Sequence, residues 1–599
     1  MTGAAFLLND TDPASIFTPE DFTDEQRQIA ATAAEFATNE VLPAAAEIEA
    51  KNFDVTRALL KKAGDLGLMA VDIPEAYGGL AMDKVTSAIV ADHMSMLASF
   101  SVAFSAHTGI GTLPIVWYGT EAQKQKYLPK LATGEWLAAY ALSEATSGSD
   151  AMNIRTRAVR DGDHYVLNGE KMWITNAGFA DLFTVFAKIA DPDSPGAEPD
   201  LAKTKMSAFL IERSTPGLAI GAEEHKLGIR GSSTCPLVLN DCRIPAENLL
   251  GESGKGHHIA FNILNIGRFK LGAACTGGAR TSLANAIQYA RDRKAFGKPI
   301  AEFGLIQQKI ADAAARIYVS ESMTYRTIGA IDAALDQIPE ASAQNSGEIQ
   351  KRIEEYAIEC SIMKVAASEM LDRVVDHTVQ IYAGYGYVEE YPAERAYRDS
   401  RINRIFEGTN EINRLIIAGF VMKRAMTGQL PLLPAIKSLT DELLAPPSLS
   451  SDENTEDSLA RESKLLTNAK KLLLFAAGSA SQKYMNALAD QQEILAALAD
   501  MILEVYALDS ALARARKLAE KGSALAALAQ SMTQLYAVNA FSAIENAARM
   551  VIAAVAEGDL LRTQIAIVRR LAKHETVNTV ALGKTIARAA VERGHYPII

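Results

Sequence analysis

A chain of 599 residues, 49% of them apolar, exceeds the roughly 250–300 residues at which one core stops growing, so several domains are expected. A formal net charge of −12, with Lys and Arg scattered rather than blocked, argues against nucleic acid as a partner. Four cysteines without CxxC spacing argue against a disulfide scaffold or a zinc site, so no metal is expected, and no stretch reaches the ~20 apolar residues of a membrane span.

From Asp24 to about Leu131 apolar residues recur at helical spacing, as in Ile29, Ala33, Phe36 and Ala37, which predicts a helical domain over 24–135. Short β-branched and aromatic runs then follow, among them His164-Tyr165-Val166-Leu167 and Leu182 to Phe186. Asp-Gly, Asn-Gly and Pro-Gly turns separate them, predicting a small antiparallel β-domain over 136–255 with a long hairpin loop from Asp191 to Lys205. Helical periodicity returns over 256–430. The stretch 431–462, centred on the Pro-, Ser- and acid-rich Ala445 to Asp457, reads as a flexible linker. Leu- and Ala-rich helical repeats over 463–599 predict an appended bundle. The segment MTGAAFLLNDTDP lacks the features of a secretory or transit leader, and a cytoplasmic location is expected.

Three strings could carry chemistry. Tyr140 to Thr156 (YALSEATSGSDAMNIRT) offers hydroxyls and small residues to a planar polar ligand, with Ser143 and Ser149 as hydrogen-bonding groups; on composition alone a surface turn is the plainer reading. In KMWITNAG (Lys171 to Gly178), Trp173 and Thr175 lie two apart and so share one side of a strand, where an aromatic plane and a hydroxyl suit an isoalloxazine ring; a core tryptophan is the plainer reading. In RINRIFEGTNEINRL (Arg401 to Leu415), Glu407 precedes a glycine that breaks helical regularity, so its carboxylate can enter a cleft where burial would raise its pKa. Taken without context, a helix-start glutamate on the dipole is the plainer reading. A dinucleotide fingerprint is absent: Gly384-Tyr385-Gly386 lacks its third glycine and sits in a helical region.

In this order and spacing, and joined by RDRKAFGKPIAEF (Arg291 to Phe303), ILNIGRF (Ile263 to Phe269) and Val379 to Asp399, these strings resemble the acyl-CoA dehydrogenase family over residues 24–427. The fold implied is mainly α with a central β-domain: an α-domain, a β-barrel-like domain and a four-helix-bundle α-domain, with the C-terminal helical bundle appended. That extension, with RIFEGTNE and FGLIQQK, resembles the very-long-chain branch and implies a homodimer. By motif, the resemblance assigns Tyr140, Leu142, Ser143, Trp173 and Thr175 to the flavin ring of FAD, and Thr409 and Asn410 to its phosphates. Arg293, Phe296, Gln380 and Gly384 are assigned to the adenine half of the flavin in the neighbouring subunit, and Ser149, Asn265 and Arg268 to acyl-CoA. The departures are Ser143 for threonine, Ala145 for proline, Ala383 for glycine and Gly304 for glutamine. In the minority of the family with a base on the other helix, the carboxylate precedes the equivalent of Arg268; here that position is Gly267, leaving Glu407 as the base.

The reaction implied is α,β-dehydrogenation of a long-chain fatty acyl-CoA to the trans-2-enoyl-CoA in β-oxidation. Glu407 takes the α-proton while the flavin ribityl hydroxyl and the Glu407 N–H polarise the thioester carbonyl, and electrons pass to an electron-transfer flavoprotein. Two alternatives stay open: an acyl-CoA oxidase using oxygen, and a non-catalytic assembly factor on the same fold. The small residues of Ser99 to Gly111 would leave room for a long tail or simply let helices pack closely. Lys464 to Ala477 would pack in the bundle core or lie on a membrane surface, which leaves a peripheral contact with the inner membrane face open.

Overall fold

The computed structural model describes residues 2–189, 205–339, 346–444 and 457–598. Seven helices come first: α1 (Asp24–Phe36), α2 (Ala45–Glu49), α3 (Phe53–Asp65), α4 (Lys84–His93), α5 (Ala98–Ser105), α6 (Leu113–Tyr118) and α7 (Glu121–Ala132). Their starts are written locally: Thr23 with Gln26 and Thr120 with Gln123 each form a reciprocal capping box that satisfies N–H groups the helix leaves unpaired.

The sheet follows as β1 (Ala138–Ala141), β2 (Arg157–Asp161), β3 (His164–Thr175), β4 (Leu182–Ile189), β5 (Lys205–Glu212), β6 (Leu218–Ile220), β7 (Thr234–Pro245) and β8 (Leu249–Leu250). Strand order is β6-β7-β3-β2-β4-β5-β8, and β1 joins at β4. The sheet is mixed rather than purely antiparallel, because β1 and β2 both run parallel to β4. Chain entering from the helical domain and chain leaving the first loop meet the same central strand in the same direction. β4 and β5 pair antiparallel from Ile189 opposite Lys205; the loop expected between them lies outside the described residues.

The second helical block holds α8 (Gly256–Asp292), a short ribbon of β9 (Lys294–Ala295) and β10 (Lys298–Pro299), α9 (Gly304–Leu335), α10 (Ser346–Glu354), α11 (Ala357–Tyr382), α12 (Pro392–Ser400) and α13 (Asn410–Met426). The stretch expected as linker begins instead with α14 (Leu432–Leu444), whose Leu432 and Leu439 are buried at helical spacing. The Pro- and acid-rich centre of that stretch, 445–456, lies outside the described residues.

The C-terminal bundle comprises α15 (Ala460–Tyr484), α16 (Gln492–Glu520), α17 (Ala526–Val555), α18 (Gly558–Leu571) and α19 (Thr579–Arg593). α15 spends its apolar face inside the bundle: Leu465, Leu466, Leu472 and Leu473 are buried, Lys470 donates to Asn9 O at 2.8 Å and Lys471 pairs with Glu442 at 2.6 Å. The face that could have met a membrane is therefore packed away. Among the described residues no helix is long and apolar enough to cross a membrane.

One apolar core runs without a break from α8, α9, α11 and α13 through α15, α16 and α17. The residues before α1, which carried no sequence signal, form part of that junction. Phe6 packs on Tyr506 with ring centroids 4.6 Å apart, Thr11 donates to Asp509 at 2.6 Å, and Glu20 pairs with Arg514 at 2.6 Å.

Candidate active site

Glu407 lies in the loop between α12 and α13. Arg401–Arg404 make one tight turn, and Thr409 opens α13 by accepting the Ile412 N–H at 3.2 Å. Between them Glu407 and Gly408 both take left-handed backbone, at φ 57° and 82°. Glycine adopts this freely, whereas Glu407 bears a steric cost of roughly 1–2 kcal/mol. Side chains from three helices hold the turn against it. Lys364 of α11 donates to Gly408 O at 2.7 Å, Arg268 of α8 donates from Nε to Glu407 O at 3.3 Å, and Asn413 of α13 donates to Gly408 O at 2.8 Å.

This turn puts the carboxylate against α8 and not over the start of α13. A Cβ placed on Gly267 would lie 2.8 Å from Glu407 Oε2, so the absence of a side chain at Gly267 is what makes room for the Glu407 carboxylate. Oε2 is buried and accepts no hydrogen bond among the described residues. Burial pushes the Glu407 carboxyl up to about 7, with the Arg268 and Lys364 charges holding it below what burial alone would give. The Glu407 backbone N–H likewise donates to no described acceptor.

The carboxylate closes one end of a cavity of about 370 Å³. One wall is a stripe along α8, from Gly267 through Leu271, Ala274, Gly278 and Ser282 to Asn285, at helical spacing. That stripe extends roughly 27 Å at 1.5 Å per residue. Opposite it stand α12 and the Ser101, Ser105 and Gly109 face of α5 and the turn after it, with Leu371 and Val375 of α11 towards the far end. The small residues of Ser99 to Gly111 thus line a cavity wall.

Thr175 shares the Glu407 end of this cavity. It follows a bulge, because Lys171 pairs with Leu237 and Ile174 with Cys235, which leaves two residues, Met172 and Trp173, facing one, Pro236. Trp173 takes φ 57° there and leaves its side chain 56% exposed, while Lys171 and Ile174 on either side are buried. Regular alternation does not run through this strand; the extra residue resets the phase and turns the indole out. Met172 N donates to Ser143 O at 2.9 Å, which lays the loop after β1 along the bulge, with Tyr140 and Leu142 nearly buried beside it. A buried ion pair underlies both: Lys171 Nζ meets Glu144 at 2.7 Å and Leu142 O at 3.2 Å, and Glu144 accepts the Thr156 N–H at 3.0 Å. Burial pulls the Lys171 ammonium down to about 8 against the attraction of Glu144.

Five of the expected flavin residues, Tyr140, Leu142, Ser143, Trp173 and Thr175, are therefore brought together, with Glu407 across the same cavity. Thr175 and the buried Glu407 carboxylate line one cavity, and the exposed Trp173 indole lies two residues from Thr175, an arrangement that fits a planar flavin with substrate beneath it. Other expected residues lie elsewhere. Asn410 is buried with its amide engaged by Lys364 at 2.6 Å and Glu369 at 2.9 Å, and the Thr409 hydroxyl oxygen caps α13 by accepting the Ile412 N–H. Arg268 and Asn265 are buried and bonded to each other at 3.0 Å; they hold the base turn and do not line the cavity. Ser149 is exposed outside the cavity.

Arg293, Phe296, Gln380 and Gly384 form a second surface beyond the end of α8, roughly 38 Å along that helix from Arg268. Phe296 is 95% exposed, Arg293 lies over the Tyr385 ring, and a groove bounded by Tyr289, Arg293, Tyr382 and Gly384 opens beside them. Sequence reading missed Lys364, Asn413, Glu144 and Lys171. The available signal was a lone lysine inside an otherwise apolar run, as at Lys364 in Ser361-Ile362-Met363-Lys364-Val365.

Comparison with known proteins agrees along the whole chain. Family models for the acyl-CoA dehydrogenase N-terminal, middle and C-terminal domains match residues 23–135, 139–242 and 254–422, and a further acyl-CoA dehydrogenase C-terminal domain matches 468–570. A probable acyl-CoA dehydrogenase of Bacillus subtilis is 46% identical over 599 residues, covering 100% of this chain and 98% of that protein. The human mitochondrial very long-chain specific acyl-CoA dehydrogenase is 37% identical, over 76% of this chain and 69% of its own. The crystal structure of an acyl-CoA dehydrogenase complexed with FAD from Bacillus anthracis superposes with a TM-score of 0.94 at 45% identity, covering 100% of both chains.

Proposed function

From the premise that the chain belongs to the acyl-CoA dehydrogenase family, as an FAD-dependent oxidoreductase, we propose that it dehydrogenates long-chain fatty acyl-CoA with Glu407 as the base. The observation that carries this reading is the bare, buried Oε2 of Glu407 in a long cavity that Thr175 also lines.

The thioester lies between the carboxylate and the Trp173 and Thr175 edge, with its acyl tail along the α8 stripe. Glu407 Oε2 removes the proton from the α-carbon, and that C–H pair becomes the new α,β double bond. FAD, when bound, supplies the acceptor for the hydride that leaves the β-carbon. The free Glu407 N–H is placed to hydrogen-bond the thioester oxygen as charge grows there. Arg268, Lys364 and Asn413 keep the base turn fixed, and the Lys171–Glu144 pair fixes the opposite wall. Burial keeps water from Oε2, so the carboxylate is a stronger base than in solution.

Chain length is read from the cavity. A bilayer core of ~30 Å holds two acyl layers, so one fatty chain spans ~15 Å. The α8 stripe exceeds that. Electrons are proposed to pass to an electron-transfer flavoprotein in β-oxidation, and the exposed Phe296 and Arg293 surface to meet a second subunit in a homodimer, completing the adenine site there. The four cysteines are free and buried, as suits the cytoplasm.

The test is an anaerobic titration of the flavin-loaded protein with butyryl-, octanoyl- and palmitoyl-CoA, followed by flavin bleaching. Bleaching strongest with palmitoyl-CoA supports the reading; preference for butyryl-CoA overturns the long-chain part. Reoxidation by an electron-transfer flavoprotein and not by oxygen supports the acceptor, and rapid peroxide release would make the protein an oxidase.

A further inference from the structure

The base turn is connected by an unbroken series of hydrogen bonds to the C-terminal bundle. Lys364 Nζ bonds Gly408 O at 2.7 Å and Asn410 Oδ1 at 2.6 Å. Asn410 Nδ2 donates to Glu369 Oε1 at 2.9 Å. Arg414 grips both oxygens of Glu369, at 2.9 and 3.1 Å, and turns its Nε to Asp500 Oδ1 of α16 at 2.7 Å. α13 thus carries the links at Asn410 and Arg414, one helical turn apart on a single face.

We propose that Asp500 is a positioning residue for the base: by fixing Arg414 it holds Glu369, Asn410 and Lys364 in line, and so keeps the Lys364 ammonium beneath the turn that carries Glu407. The C-terminal bundle is then part of the catalytic apparatus and not only a packing partner. This rests on Glu407 being the base.

The geometry favours a directed role over generic adhesion. Arg414 needs acceptors on both sides to stay extended across its helix, and a guanidinium holding a two-point grip with a third bond through Nε has no rotational freedom left. Lys364 is fully buried, and burial draws its ammonium down to about 8, so its charge depends on acceptors holding it in place. The charged and titratable groups facing Glu407 are Arg268 on α8, Lys364 on α11 and Tyr140 on β1, with Cys275 and Glu369 behind Lys364. Of the three that face Glu407 directly, Lys364 is the one tied to the bundle by this route, through Asn410, Glu369 and Arg414.

The experiment compares Asp500→Ala and Asp500→Asn with Asp509→Ala in the flavin-loaded protein. Asp509 also joins α16 to the core, through Arg326 at 2.9 Å, but its bonds do not lead to the base turn. With Lys364 loosened, less positive charge faces Glu407, its pKa rises, and the acid limb of kcat/KM moves to higher pH. At neutral pH kcat falls about two- to thirty-fold, the range of coupling through a packed network, while KM and flavin content hold. Asp500→Asn keeps the Oδ1 acceptor and restores most of the loss. Asp509→Ala lowers the melting temperature without moving the limb.

An infrared carboxyl titration, with the Glu407 band identified by its loss in Glu407→Gln, reads the same shift without turnover. An acid limb and carboxyl band unmoved in Asp500→Ala, or moved equally in Asp509→Ala, would overturn the proposal. Should Glu407→Gln itself retain turnover, the base assignment fails instead, and the two failures are thereby distinct.

Discussion

Glu407 combines two costs that a residue chosen for stability would avoid, a left-handed backbone and a buried carboxylate with an unbonded oxygen. Both fit the proposed role of Glu407 as a base aimed into the cavity. With the folded carboxyl near 7 against an ordinary value of 4.5, the folded protein keeps a proton that the unfolded chain releases between those values. Stability therefore falls as pH rises through this window and levels off above about 7. Glu407→Gln is expected to lower turnover roughly 10²–10⁴-fold, the usual contribution of a general base. The same variant should be more stable than the wild type at pH 8, by on the order of 3 kcal/mol, and nearly equal at pH 4.5. Chemical denaturation at the two pH values measures this; equal stability at pH 8 would mean the carboxyl titrates normally. The motif around Glu407 was legible in the sequence only through its company with the other strings. Its supports were not: Lys364 lies 43 positions upstream in an apolar run, and nothing in local spacing says that its ammonium ends on Gly408 O.

At the scale of elements, periodicity marked the helices and the sheet because burial imposes 3.6 and 2.0 residue repeats directly. It failed where a strand breaks its own repeat. Trp173 and Thr175 do flank the buried Ile174, but the phase is reset by a bulge at 172–173 that depends on the partner strand β7. α14 was missed because its amphipathic turn abuts a Pro- and acid-rich run that dominated the composition of the whole stretch. α8 lines the cavity along which the acyl tail is proposed to lie. Ala274 stands two turns beyond Gly267, roughly 10 Å along the stripe. Ala274→Leu should fill the cavity there, lowering kcat/KM for palmitoyl-CoA by tenfold or more, about 1.4 kcal/mol, while leaving butyryl-CoA nearly unchanged. Parallel losses on both substrates would show that the tail does not follow α8.

For the whole molecule, the decisive feature is that the bundle is not a separate body. Its helices share one apolar core with α8, α9, α11 and α13, and the chain before α1 is tied into the same junction. Arg514 is its electrostatic centre: the side chain is buried, meets Glu20 at 2.6 Å and Glu321 at 2.7 Å, and lies over the Tyr318 ring. Sequence periodicity could find the bundle but not this junction, since the three charged partners come from positions 20, 321 and 514 and none is unusual in its local string. Arg514→Leu would leave Glu321 buried with the Tyr596 hydroxyl and an Arg280 it shares with Asp92, and should cost about 3–5 kcal/mol, as when one member of a buried pair is removed. Because core and bundle are continuous, that loss should lower a single calorimetric transition as a whole. An independent bundle would instead give a second transition moving alone, and the Asp500 link to the base would then connect two bodies that can part without unfolding. A single shifted transition means that bundle and core unfold as one body, held by the same packing.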